Sequence, residues 1–85
     1  MSYNYQTEKP GIFTEDGQEM FLAIRDKTKK LLSEAGACRL KEMISGTTGD
    51  SWRMLACVDR LEELGEIREV TGANIAGQFR VFVEA

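Results

Sequence analysis

Histidine is absent from this chain of 85 residues, cysteine occurs only twice and proline only once. The chain therefore lacks the side chain most often used for general acid–base catalysis, which is also the usual base beside a nucleophilic cysteine. The two cysteines, Cys38 and Cys57, form no CxxC pair, so a zinc site lacks its ordinary ligands. We expect no catalytic residues, no metal site and no cofactor, which leaves a binding domain.

Long hydrophobic runs are also missing. No apolar stretch approaches the length of a membrane span, and the N-terminus has no basic start followed by an apolar core. The sequence predicts a cytoplasmic protein with reduced thiols and no membrane contact.

The charge is slightly acidic overall, with a formal net charge of -3. Its distribution is uneven: residues 25–60 carry eight basic and five acidic side chains, a net +3, and the remainder carries -6. An acidic chain argues against a dedicated nucleic-acid binder, whereas the basic middle keeps that function open. The length suits one domain with one core.

Residues 1–15 are polar and have no hydrophobic period, which predicts an N-terminal arm. The arm is either a frayed terminus without fixed structure or a segment that packs on a partner subunit. Tyr3, Tyr5 and Phe13 would be its anchors in the second case.

Three helices are predicted after the arm. The first begins near Asp16, which forms a capping box with Glu19, and it stops at Gly36. Its apolar stripe has helical spacing and consists of Met20, Phe21, Ile24, Thr28, Leu31, Leu32 and Ala35. A short strand at residues 37–38 precedes the second helix, in which Leu40, Met43 and Ile44 share one face.

The third helix, residues 50–64, follows a turn at residues 46–49 and is capped by Asp50 or Ser51. Its predicted buried stripe consists of Met54, Cys57, Val58, Leu61 and Leu64. The opposite face consists of Trp52, Ala56, Asp59 and Glu63. The two cysteines are expected to be inert packing residues.

A hairpin is predicted at the C-terminus, with strands at Glu66–Thr71 and Gln78–Val83 around residues 72–77. Phe79, Val81 and Val83 alternate with Arg80, Phe82 and Glu84, as in a half-buried strand. This phase places Phe82 on the outer side, where it would meet Tyr3 or Tyr5, or a second chain in a symmetric dimer.

The order of these elements, with Leu61-Glu62-Glu63-Leu64-Gly65-Glu66-Ile67 closing the third helix, resembles the winged helix-turn-helix domains of prokaryotic transcriptional regulators. The resemblance covers residues 16–84 and implies an α+β fold. That fold has three helices and a C-terminal antiparallel wing of two or three strands, and in it the short strand at residues 37–38 pairs with the wing. Residues 16–85 would form the winged-helix domain behind an arm at residues 1–15.

Such a domain implies a transcriptional regulator in which the third helix enters the major groove of double-stranded DNA. The helix positions that the resemblance assigns to DNA are Ser51, Trp52, Arg53, Leu55, Ala56 and Asp59. Only Ser51 and Arg53 are ordinary DNA contacts. Phosphate contacts would come from Arg39 and Lys41, with support from Lys29, Lys30 and Arg60, and from Arg68 and Arg80 on the stems of the wing.

Winged helices also serve as protein-interaction modules that never touch DNA, so a second hypothesis stays open. In that case Trp52, Leu55 and Ala56 would anchor a protein partner, since Trp is enriched at interface hot spots. Trp52 could instead fold back on the inter-helix turn or on the arm, or stack on a nucleic-acid base. A homodimer through the arm or the last strand is compatible with both hypotheses.

Overall fold

A long helix organises the structure, a computed structural model that describes residues 2–72 and 77–85. This helix, α2, spans Glu15–Ala35. The Thr14 hydroxyl caps it by accepting a hydrogen bond from the Gly17 amide at 3.0 Å, so the predicted cap at Asp16 was wrong. Gly36 ends the helix at φ 78°, a left-handed conformation that glycine adopts without strain, as predicted.

Residues 2–14, here called the N-terminal segment, are folded rather than frayed. They contain a short helix, α1 (Tyr5–Glu8), and a 3-10 helix (Lys9–Phe13) with a proline in its first turn. Ile12 is only 1% exposed and joins the core. Tyr3 and Tyr5 pack against the same core. The sequence suggested a loose arm because these anchoring side chains are not spaced with a hydrophobic period.

The next elements follow the predicted order. They are β1 (Ala37–Arg39), α3 (Leu40–Ile44) and α4 (Ser51–Glu63), with Asp50 capping α4 through the Trp52 amide at 2.9 Å. Four members of the predicted α4 stripe are buried: Met54, Cys57, Val58 and Leu61. Leu64 is 47% exposed, because it lies past the last turn of the helix, where Gly65 at φ 76° turns the chain away.

The sheet is antiparallel and has the strand order β1-β3-β2, where β2 is Ile67–Glu69 and β3 is Val81–Glu84. Both strands are shorter than predicted, and a 3-10 helix at Gly77–Phe79 takes the place of the predicted start of β3. The prediction that the short strand pairs with the hairpin is confirmed by the pairing of β1 with β3. Residues 73–76 of the predicted wing tip lie outside the described residues.

Phe82 faces the interior, contrary to the predicted phase of the last strand. It is fully buried, whereas Phe79 is 48% exposed. The register aligns Phe82 with the buried Cys38 on β1, so both point toward the helices. The period of two was correct but the face was wrong, because β3 has apolar residues on both sides and the larger Phe82 is the one that is buried.

The core lies between α2, α4 and the inner face of the sheet. Its buried apolar residues are Ile12, Met20, Ile24, Cys38, Leu40, Met43, Met54, Ala56, Cys57, Val58, Leu61, Ile67 and Phe82. Thr28 is a buried polar residue, and its hydroxyl donates to the Ile24 carbonyl at 2.8 Å. The result is an α+β domain in which α4 lies beneath the N-terminal segment.

Candidate functional site

The N-terminal segment packs against part of the α4 face that the sequence placed toward solvent, at Asp59 and Glu63. Ala56, a predicted contact residue, is 0% exposed and belongs to the core. The prediction for Ala56 was therefore wrong. Helical periodicity alone assigned Ala56 outward, since residues 2–14 have no hydrophobic period that would have predicted their packing against this side of the helix.

Two tyrosines of the N-terminal segment bind the acidic residues of α4. The Tyr3 hydroxyl donates to Asp59 Oδ2 at 2.6 Å, and the Tyr5 hydroxyl donates to Glu63 Oε1 at 2.9 Å. Burial, followed by the hydrogen bond to Asp59, raises the pKa of Tyr3. Burial and the bond to Glu63 raise the pKa of Tyr5 to about 12. Both phenols therefore stay protonated and act as donors at neutral pH.

Glu63 is also held by two cations. Arg60 Nη1 lies 2.7 Å and Lys9 Nζ lies 3.0 Å from its Oε1. The hydrogen bond from Arg60, then those from Lys9 and Tyr5, lower the pKa of Glu63 to about 2. The carboxylate that would have repelled a polyanion is thus an internal link between α4 and the N-terminal segment.

Two arginine side chains of α4 extend this contact with the N-terminal segment. The Arg60 guanidinium lies 5.4 Å from the centre of the Phe13 ring. Arg53 lies so close to the 3-10 helix that a Cβ built on Gly11 would stand 3.2 Å from Arg53 Nε. Arg53, predicted as a base or phosphate contact, therefore lies against the protein's own backbone and is only partly exposed.

Arg80 is enclosed by carboxylates. Its Nη2 lies 2.8 Å from Glu69 Oε1, 3.6 Å from Asp59 Oδ1 and 3.9 Å from Glu62 Oε1. The hydrogen bond from Arg80 lowers the pKa of Glu69, and the hydrogen bond to Glu69 raises the pKa of Arg80. The guanidinium charge is more than balanced by these neighbours, so Arg80 is poorly suited to the predicted phosphate contact.

A strip at the N-terminal end of α4 remains at least partly open to solvent. Ser51 is exposed, and Trp52 and Leu55 are partly exposed. Leu55 also touches the core, so its position is fixed. We call these three residues the α4 strip. It keeps three of the predicted contact residues together and offers mainly apolar surface.

The predicted phosphate-binding residues lie on several different elements of the fold. Arg39, Lys41 and Arg68 are all exposed, on β1, α3 and β2. Lys29 lines a groove of about 440 Å³ between α2 and the end of the sheet, together with Arg25, Glu66 and Glu84. Arg53 lines a different groove of about 490 Å³, with Asp16, Glu19 and Asp50. Acidic side chains thus accompany the basic ones in both grooves.

The cysteines have no reactive surroundings. Cys38 and Cys57 are both buried, and burial raises the pKa of each thiol to about 11. The predicted packing role is consistent with this burial, because the thiolate is the nucleophilic form. Over residues 2–72 and 77–85, no group of His, Cys, Asp and Glu side chains could hold a metal ion.

No helix in the described residues is both long and apolar enough to cross a membrane. No family model, curated protein or solved structure matches this chain.

The contact between the N-terminal segment and α4 was missed by sequence reasoning. Tyr3 and Tyr5 were noticed as anchors, but for a partner subunit rather than for Asp59 and Glu63 of their own chain. The available signal was chemical: two phenols and Lys9 in the segment match two carboxylates spaced four residues apart on α4. A four-residue spacing puts both carboxylates on one helix face.

Proposed function

We propose that this chain is a winged-helix domain that acts as a protein-interaction module through the α4 strip. The order of helices and strands supports the winged-helix interpretation, as does the sheet order β1-β3-β2. The observation that carries the functional proposal is the packing of the N-terminal segment over α4.

For α4 to contact base edges in the major groove of DNA, the N-terminal segment would have to detach from the helix. Its departure would expose Ile12, break the bonds to Asp59 and Glu63, and turn both carboxylates toward phosphates. Each of these changes opposes binding to a polyanion. The α4 strip needs no such rearrangement, and Trp52 with Leu55 offers the apolar area that protein partners bind.

A photo-reactive amino acid at Ser51 tests the proposal in cells that naturally make the protein. Glu34, an exposed residue of α2, provides the matched control position. We expect irradiation to join Ser51, but not Glu34, to a discrete protein, and we expect Trp52→Ala to abolish the product. An adduct that nuclease digests, or equal products at both positions, would contradict the proposal.

The Trp52→Ala variant also requires a folding control. Its melting temperature should stay within a few degrees of the wild type, because Trp52 is partly exposed. A variant that unfolds would show that Trp52 is a structural residue, and the proposal would then fail.

A DNA-binding regulator is the second candidate, favoured by the exposure of Arg39, Lys41 and Arg68. Titration of a 20-base-pair duplex at two salt concentrations separates the candidates. A DNA binder loses affinity steeply as salt rises, because phosphate contacts release counterions. We expect no saturable binding of the duplex even at low salt. Tight, salt-sensitive binding would contradict the proposed protein-interaction module and favour the DNA-binding regulator.

A further inference from the structure

The outer face of the sheet, turned away from the helices, carries a regular pattern of side chains. Strand pairing places Val83 between Ala37 and Arg68, and Val81 between Arg39 and Val70, whose amide donates to the Val81 carbonyl at 2.9 Å. Partners across neighbouring strands point to the same side, so these residues form two adjacent rows. We call them the outer sheet face: Ala37, Arg39, Arg68, Val70, Val81 and Val83.

This face is open and apolar at its centre. Val81 and Val83 are partly exposed, and the other four residues are exposed. The two arginines occupy opposite corners, since Arg39 lies in one row on β1 and Arg68 in the other row on β2. None of the six positions is acidic, so a chain with a net charge of -3 presents a local charge of +2 here.

The two corner arginines differ from three of the six arginines of the protein. Arg25, Arg60 and Arg80 each form an ion pair with a carboxylate. Within residues 2–72 and 77–85, neither Arg39 nor Arg68 forms one. A partner can therefore bind these two charges without breaking an ion pair within the protein.

The edges of the sheet are less available than its face. The Arg39 amide on β1 donates to Glu42 Oε1 at 2.9 Å, and the Glu69 amide on β2 donates to Glu62 Oε2 at 3.3 Å. Each carboxylate occupies a donor that an added strand would need. A partner that extends the sheet is disfavoured, whereas a partner laid across the face meets no such obstacle.

We propose that the outer sheet face binds an acidic amphipathic helix of another protein, separately from the α4 strip. Strands lie about 4.8 Å apart, so three strands span about 10 Å, which matches the diameter of one helix. An apolar stripe would rest on Val81 and Val83, and carboxylates on its two flanks would meet Arg39 and Arg68. Two other occupants fit this face less well. A second copy of the face would place arginines against arginines. A nucleic acid would find neither aromatic rings for base stacking nor hydrogen-bonding groups on the valines.

A synthetic 18-residue helix tests the proposal against the full chain. The probe carries leucine at a and d positions and glutamate on the flanking positions, and its affinity is measured by fluorescence anisotropy. We expect Arg39→Glu with Arg68→Glu to weaken binding at least tenfold. The matched control, Lys29→Glu with Lys30→Glu, makes the same change in net charge on exposed residues of α2, and we expect less than a twofold effect.

A charge swap keeps the test independent of any folding defect. A probe with lysine in place of glutamate should bind the Arg39→Glu, Arg68→Glu variant more tightly than the wild type. Amide chemical shifts of the wild-type complex should change on β1, β2 and β3. Absence of binding, equal loss in both double variants, failure of the swap, or shifts confined to α4 would each overturn the proposal.

Discussion

Shortening the Ile12 side chain to alanine tests whether the N-terminal segment is part of the fold. Ile12 is 1% exposed and packs in the core, whereas the neighbouring Phe13 is 56% exposed. Ile12→Ala removes three buried carbon groups at about 0.8 kcal/mol each and leaves a cavity, so we expect a loss of about 3 kcal/mol. Phe13→Ala is the control: it loses a cation–π contact with Arg60 and should cost about 0.5–1 kcal/mol.

Urea unfolding monitored by circular dichroism measures both values. With a slope of about 1 kcal/mol per molar urea, Ile12→Ala should move the midpoint by roughly 3 M. Trp52 fluorescence should give the same midpoint, because a single domain of this size unfolds cooperatively. The reasoning fails if Ile12→Ala costs less than about 1 kcal/mol, or if Phe13→Ala costs as much.

Three further predictions concern other contacts. Gly17→Ala should lower the free energy of unfolding by about 1–3 kcal/mol, because a Cβ at this position would stand 2.0 Å from the Gly11 carbonyl oxygen. The control is Gly72→Ala, whose Cβ would meet nothing within 4 Å, and it should leave the melting temperature nearly unchanged. Since the pKa of Glu63 falls from 4.5 to about 2 on folding, its stabilisation is full above pH 4.5 and is lost as pH falls toward 2. Glu63→Gln should flatten the dependence of the urea midpoint on pH in that window, and an unchanged slope would refute the link to Lys9 and Arg60. Arg80→Met leaves the carboxylates of Glu69, Asp59 and Glu62 without their shared cation and should lower the free energy of unfolding by about 1–3 kcal/mol, measured by thermal melting. Addition of Glu69→Gln to this variant should recover part of the lost stability. No recovery would contradict the ion pair between Arg80 and Glu69.

Local sequence signals predicted the elements well where one residue or one period decides the outcome. Gly36 ended the first long helix, and the stripe from Met54 to Leu61 gave the buried face of α4. Side-chain period and turn chemistry act over a few residues, so they can be read without knowledge of the rest of the chain. The pairing of the short strand with the hairpin was also predicted, but through resemblance to a known arrangement.

The candidate site depended on contacts between distant residues. Asp59 and Glu63 looked like exposed charges on a helix, yet their partners Tyr3, Tyr5 and Lys9 lie more than fifty positions away in sequence. Arg80 resembled a free cation on a strand until folding placed Asp59, Glu62 and Glu69 around it. Pairing of this kind has no local period, so no single window of sequence contains both partners.

The sequence by itself determined the class of the fold: an α+β domain built from amphipathic helices and a C-terminal hairpin. The tertiary structure alone decided which surfaces are open. Burial of Ile12 brought the N-terminal segment onto α4, and strand register put Phe82 inside and Arg39 and Arg68 on an open face. The physical reason is that exposure belongs to the packed chain, because a side chain is covered by neighbours that are usually remote from it in sequence.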